Sequence, residues 1–219
     1  MTVVLVLVMF LIFVVADYIV SRGKAPQLAV EKPAKEATPA ILEGFKVTEN
    51  VRYHPGHAWC QRERKHLARV GVDEFAAAIV GPVEKIDLPK TGQWIRQGQK
   101  AWAFSRNGEK VDMVSPIEGE VIEINPDVVK DPTLLRKDPY GTGWLMMVHV
   151  PDEENTGRNL LPAGLVKSWL RSAVEKLYAA QPQLAGATAA DGGLPVDDLA
   201  AGLTGQSWRE LASDFFLTR

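Results

Sequence analysis

Cysteine is nearly absent: Cys60 is the one thiol in 219 residues. A lone thiol forms no internal disulfide, so a disulfide-stapled secreted scaffold and a Cys-rich zinc module are both excluded, and a reducing compartment fits. An excess of one sign of charge is lacking too. With 25 Lys+Arg against 27 Asp+Glu the formal net charge is -2, which argues against a nucleic-acid binder, because phosphate backbones are held by clustered Lys and Arg. No Gly-rich phosphate loop, His-Glu-x-x-His run or catalytic-triad spacing occurs, so common sequence marks of phosphoryl-transfer, zinc-hydrolase and acyl-transfer chemistry are missing. What is there, 46% hydrophobic and 24% charged residues, is an ordinary globular composition. Its length suits one domain with additions or two small domains.

The hydrophobicity is unevenly spread. From Thr2 to Val20 the chain is apolar apart from Thr2 and Asp17, with Tyr18 near the downstream end. As a helix this stretch would span roughly 28 Å, close to the ~30 Å hydrocarbon core of a bilayer. A single-span anchor over residues 1–22 is the expectation. Asp17 lies one turn from the end, within reach of the headgroups, where a carboxylate costs least. A cleaved signal peptide competes with this reading, since Val14-Val15-Ala16 offers small residues, but no Lys or Arg precedes the apolar core. A buried core helix is the third possibility. Arg22, Lys24, Lys32 and Lys35 all follow the segment, so the positive-inside rule puts the bulk of the chain on the cytoplasmic side of the cell membrane as a single-pass protein.

Residues 23–45 read as a tether rich in Pro, Ala, Lys and Glu, semi-extended because Pro26, Pro33 and Pro39 break any long helix. Beyond Val51 short strands predominate. Leu67–Val72 reads as a strand, and Asp73–Val80 as a short helix with an acidic first turn. Val83–Leu88, pieces of Trp94–Phe104, Lys110–Val114, Gly119–Ile124 and Trp144–Val150 are further strands, punctuated by Gly and Pro. Arg106-Asn107-Gly108-Glu109 carries the strongest hairpin signal, because Asn-Gly suits a type I′ turn. Such a pattern predicts a β-sandwich or small barrel. After Pro151 the spacing of Leu165, Trp169, Leu170, Val174 and Leu177 turns helical. A linker over 181–193 and a short amphipathic helical tail over 194–219 complete the chain.

His54, His57 and Cys60 recur every third residue, as metal ligands would, yet Pro55 interrupts helical spacing and a fourth ligand is missing, so no metal site is expected. Cys60 lacks the electropositive setting and oriented base of a nucleophile. Arg62, Arg64, Lys65, His66 and Arg69 form a basic cluster, either a solvated hairpin face or a surface for anionic headgroups. In the tail, Ser207-Trp208-Arg209-Glu210 reads as a capping box, with Trp208, Leu211, Phe215 and Leu217 along one side of a helix. That helix either lies in a partner's groove or packs back on its own domain.

Several runs carry a family likeness. Tyr53-His54-Pro55-Gly56-His57-Ala58-Trp59, Val70-Gly71-Val72-Asp73-Glu74-Phe75-Ala76, Leu88-Pro89-Lys90-Thr91-Gly92, Ser115-Pro116-Ile117-Glu118-Gly119-Glu120-Val121 and Asp138-Pro139-Tyr140-Gly141-Thr142-Gly143-Trp144 resemble, in order, motifs of the H-protein of the glycine cleavage system. The resemblance runs from about Val51 to Ala179, and the domain is bounded at 46–180. It implies a mainly β fold, a lipoyl-domain-like β-sandwich or hybrid barrel with flanking helices, here preceded by a transmembrane helix. In that family a lysine at a hairpin tip, eight residues before the Pro of the Ala-Pro motif, carries lipoate through an amide bond. Here the same count from Pro116 lands on Gly108. The family's Glu before the Trp of the first motif, implicated in receiving the loaded arm, is Ala58, whereas Asp112 keeps a family Asp four places after the attachment position.

Two functional classes follow. The first is a membrane-anchored scaffold or adaptor, not an enzyme and without a cofactor, that holds an unidentified protein partner such as a membrane-bound complex through protein–protein contacts. The second is a working carrier that moves an aminomethyl, acyl or sulfur-containing group on lipoate attached to a shifted lysine, Lys110. A third reading has the hairpin region reused to bind a small ligand.

Overall fold

The computed structural model describes residues 40–186, 198–203 and 207–218. The anchor expected over 1–22, the tether up to residue 39 and most of the 181–193 linker lie outside them. Among the described residues no helix is long and apolar enough to cross a membrane.

In chain order the strands and first helices are β1 (Ala40–Leu42), β2 (Phe45–Val47), β3 (Arg52–Tyr53), β4 (Ala58–Arg64), β5 (Leu67–Val72), α1 (Glu74–Val80), β6 (Lys85–Asp87), β7 (Trp94–Ile95), β8 (Lys100–Arg106), β9 (Glu109–Val114), β10 (Gly119–Ile124), α2 (Pro126–Lys130), α3 (Leu134–Lys137) and β11 (Met146–His149). Helices α4 (Glu153–Arg158), α5 (Val166–Ala180) and α6 (Trp208–Phe215) follow. The fold is mainly β with flanking helices, as the strand pattern predicts.

One antiparallel sheet has the order β3-β4-β5-β11-β10-β7, a second has the order β6-β8-β9, and β1 and β2 form a separate hairpin. Residues of both larger sheets share one core: Val70, Val72 and Val148 from the first meet Phe104, Val111 and Met113 from the second. Strand alternation explains how β4 serves two layers. Ala58 and Cys60 belong to this core, while Trp59 belongs to a smaller cluster with Val51, Tyr53 and Val166, against which Trp169 of α5 packs. Gly71 is required there, because a Cβ on it would lie 2.3 Å from the Trp59 ring.

Helix α1 starts where Asp73 accepts a hydrogen bond from the Ala76 backbone N–H at 2.7 Å, satisfying one of the amides that the first turn leaves open. All seven of its residues are buried, more than its acidic first turn suggested. In α5 the buried positions are Val166, Leu170, Ala173, Val174 and Leu177. Leu165, expected on that face, precedes the helix in a 3₁₀ turn and is exposed.

Two expected boundaries move. The folded unit already includes residues 40–45, because β1 pairs with β2 and Phe45 is fully buried in edge contact with Phe75 of α1. A Pro-rich composition hides three-residue strands that gain stability only from such packing. Residues 182–186 of the expected linker form a 3₁₀ turn, with Leu184 in the core.

Candidate functional site

The β8–β9 hairpin closes on Asn107 and Gly108, with φ of 50° and 78°. Both values are positive, as a type I′ turn demands, and the Asn-Gly pair supplies the two residue types that tolerate them. Around the turn Arg106 faces Glu109, Ser105 faces Lys110 and Phe104 faces Val111. Gly108, the residue that the family spacing assigns to cofactor attachment, stands at the apex with nothing within 4 Å of where a Cβ would project. The Asn107 backbone N–H donates to the Glu84 carboxylate at 3.0 Å.

Lys110 is one step down the returning strand. Its Nζ lies 2.8 Å from Asp87 Oδ2 on β6, so the side chain reaches across β8. The Asp87 carboxyl is held below its ordinary range by hydrogen bonds from Lys110 and then Lys85, and the Lys110 ammonium is held above its own by the bond to Asp87. Asp112, further along β9, pairs with Lys100 at 3.0 Å.

The turn end of the hairpin is fastened. Arg106 makes two parallel hydrogen bonds to the Asp198 carboxylate, at 2.7 and 2.8 Å, a bidentate geometry that adds orientation to charge. Both side chains are largely shielded from solvent.

Next to the hairpin, the segment carrying the first family motif is packed solid. Ala58 is fully buried opposite Val72. His57, with φ of 63°, has its ring between Phe75 and Trp169, each at 4.5 Å centroid separation, and its Nδ1 lies 2.8 Å from Asp73 Oδ2. His54 Nδ1 accepts the Gly56 backbone N–H at 3.1 Å. Burial pushes the Cys60 thiol up to about 12, which keeps it protonated and a poor nucleophile. The three residues at metal-like spacing are thus engaged separately. Among the described residues no group of three or more His, Cys, Asp and Glu is arranged to hold a metal ion.

The tail covers this region. Helix α6 begins at the expected capping box, with Glu210 N–H donating to Ser207 Oγ at 3.2 Å and the Glu210 side chain accepting from the Ser207 N–H. Its Trp208 indole donates to the Ile79 carbonyl of α1 at 3.0 Å, and Phe215 meets Phe75 edge-on at 5.2 Å. The open choice between a partner's groove and the domain itself is thereby decided: the apolar face packs at home. Leu217, expected on that face, is exposed, and Phe216 is buried in its place, because the helix ends at 215 and the turn rotates the next side chain inward.

The basic cluster is partly neutralised. Arg62 pairs with Glu153 at 3.2 Å, and Arg69 with Glu63 at 3.0 Å while lying over the Trp144 ring. Arg64 and Lys65 remain exposed.

Two antiparallel sheets on one core, flanked by helices and presenting a tight hairpin to solvent, define a small β-sandwich of the lipoyl-domain type. The chain belongs to the glycine cleavage H-protein family: the model of that family, described as "Glycine cleavage H-protein", matches residues 51–172. The glycine cleavage system H protein of Mycobacterium leprae is 33% identical over 106 residues, covering 48% of this chain and 80% of the relative. That of Streptomyces coelicolor is 33% identical over 105 residues, covering 48% and 84%. A crystal structure of the Mycobacterium marinum H protein superposes with a TM-score of 0.50 at 23% identity, covering 58% of this chain and 99% of that one, and supports the fold. The β1–β2 hairpin and α6 lie outside the family match.

Proposed function

We propose that this protein is a membrane-anchored, H-protein-like scaffold or adaptor, neither lipoylated nor an enzyme, whose folded domain faces the cytoplasm and holds a protein partner. The observation that carries the reading is the hairpin apex, which is formed by Asn107 and Gly108 and offers no amine, and to which the family spacing assigns the attachment residue. Lys110 is a poor substitute. Amide formation requires the neutral amine as nucleophile, and the bond to Asp87 favours the ammonium and turns the side chain along the sheet.

Two further features agree with a fixed surface in place of a swinging arm. The Arg106–Asp198 pair ties the turn end of the hairpin to the chain leading into the tail. Ala58 has no carboxylate to meet an arm and is fully buried. Membrane attachment rests on the apolar run from Thr2 to Val20 and the cations that follow it, with Arg64 and Lys65 available for anionic headgroups.

Intact-mass measurement tests the reading. Full-length protein isolated from cells replete in lipoate, together with Lys110→Arg, is expected to carry no lipoyl increment. A lipoyl increment on the wild type that disappears in Lys110→Arg would establish the carrier reading instead. Co-purification from mild detergent then identifies what the domain holds.

A further inference from the structure

A cavity of about 250 Å³ opens on the side of the six-stranded sheet where β3, β4 and β5 meet α4. It exists because two neighbouring strand positions carry small side chains. Cys60 on β4 and Ala68 on β5 leave room that Ile117, Val150 and Leu160 border but do not fill, and all five are buried. The floor is therefore apolar.

The mouth is different. Arg52 lies directly across the β3–β4 ladder from Cys60, and its Nη2 donates to the Gly157 carbonyl at 2.7 Å, which holds the guanidinium at the rim. Among the described residues no carboxylate pairs with Arg52. Arg62, also at the rim, is already bridged by Glu153. Two guanidinium groups against one carboxylate leave the opening with one uncompensated positive charge. That charge is felt inside: Arg52 draws the Cys60 thiol pKa downward, against the larger upward push of burial.

An apolar floor under a tethered, unpaired guanidinium is complementary to an amphipathic anion. Arg presents a planar fork suited to a carboxylate, and the floor rewards each methylene withdrawn from water. The volume limits the guest. Pockets for drug-sized ligands run from roughly 300 to 1,000 Å³, so this one takes a short chain and excludes a long-chain lipid.

We propose that this cavity binds a short-chain aliphatic monocarboxylate, with the chain over Cys60, Ala68 and Ile117 and the carboxylate on Arg52. None of its lining residues belongs to the β8–β9 hairpin, and the site does not depend on whether Lys110 is modified.

Hexanoate, hexylammonium and hexanol serve as probes of equal chain length. Each is titrated into the full-length protein in lipid nanodiscs and followed by saturation-transfer NMR, with empty nanodiscs subtracted. Hexanoate is expected to saturate with a midpoint at or below about 1 mM, at least tenfold tighter than either of the other probes. Arg52→Gln should weaken hexanoate at least tenfold and leave hexanol unchanged. Ala68→Val, which fills the floor, should weaken hexanoate with the charge intact, and it decides the matter if Arg52→Gln fails to fold. Equal binding of the three probes, wild-type affinity in either folded variant, or no saturable hexanoate signal would overturn the proposal.

Discussion

At the scale of single residues, the contacts around β4 impose the tightest constraints. The Trp59 ring lies over Gly71 and its indole donates to the Val72 carbonyl at 2.8 Å. Backbone on one side and the Tyr140 ring on the other leave the indole little freedom to shift. Gly71→Ala is expected to destabilise by about 1–3 kcal/mol through overpacking, read as a lower urea midpoint with an unchanged denaturant slope. His54 gives a pH dependence with a definite sign. Burial, reinforced by His57, lowers the His54 pKa from its ordinary 6.5, and the Gly56 N–H occupies the Nδ1 lone pair that a second proton would need. The unfolded chain therefore takes up a proton at a higher pH than the folded one. Stability from this group is complete above 6.5 and declines as the pH falls below it. Between about pH 7.5 and about pH 5.5, unfolding free energy should fall more in the wild type than in His54→Asn, and equal slopes would refute this.

At the scale of elements, the tail helix α6 has the largest consequence. Eight residues do not hold a helix in water, so its stability comes from the capping box and from burying Trp208, Leu211, Ala212 and Phe215 against α1 and β9. Trp208 contributes a ring and a hydrogen bond to Ile79, and Trp208→Ala should cost about 3 kcal/mol, measured by urea unfolding. Loss of less than about 1 kcal/mol would mean that the helix is not docked in solution. The hairpin illustrates how far local sequence reaches. Asn107-Gly108 forces its turn type, and with it the register that puts Gly108 at the apex and Lys110 on the strand. The ion pair with Asp87 was not legible, since Asp87 and Lys110 meet only because β6 lies beside β8.

At the scale of the whole molecule, the proposed anchor and adaptor role join regions that act by different physics. If residues 1–22 hold the chain in a bilayer, deleting them should move the protein from the membrane to the soluble fraction on high-speed sedimentation. Full-length protein found in the soluble fraction would remove the anchor from the proposal. The folded body should be insensitive to that deletion, because among the described residues its core is assembled from Phe45 onward, with Leu42 packed against it. Its thermal midpoint before and after the deletion is the accompanying control.

Local chemistry and short-range patterning determined a great deal by sequence alone: the positions of β5, α1, β8, β9 and β10, the type I′ turn, the capping box and the family. These depend on side chains within a few positions of one another, where steric and hydrogen-bonding preferences act directly. Tertiary structure alone decided the rest. It drew residues 40–45 into the body through Phe45, returned the tail helix to α1, paired Arg106 with Asp198, and opened a cavity between small side chains on adjacent strands. Each of these joins groups far apart in the chain, the cavity by bringing Ile117, Val150 and Leu160 against Cys60 and Ala68, and their free energy appears only when the intervening backbone has folded and excluded water.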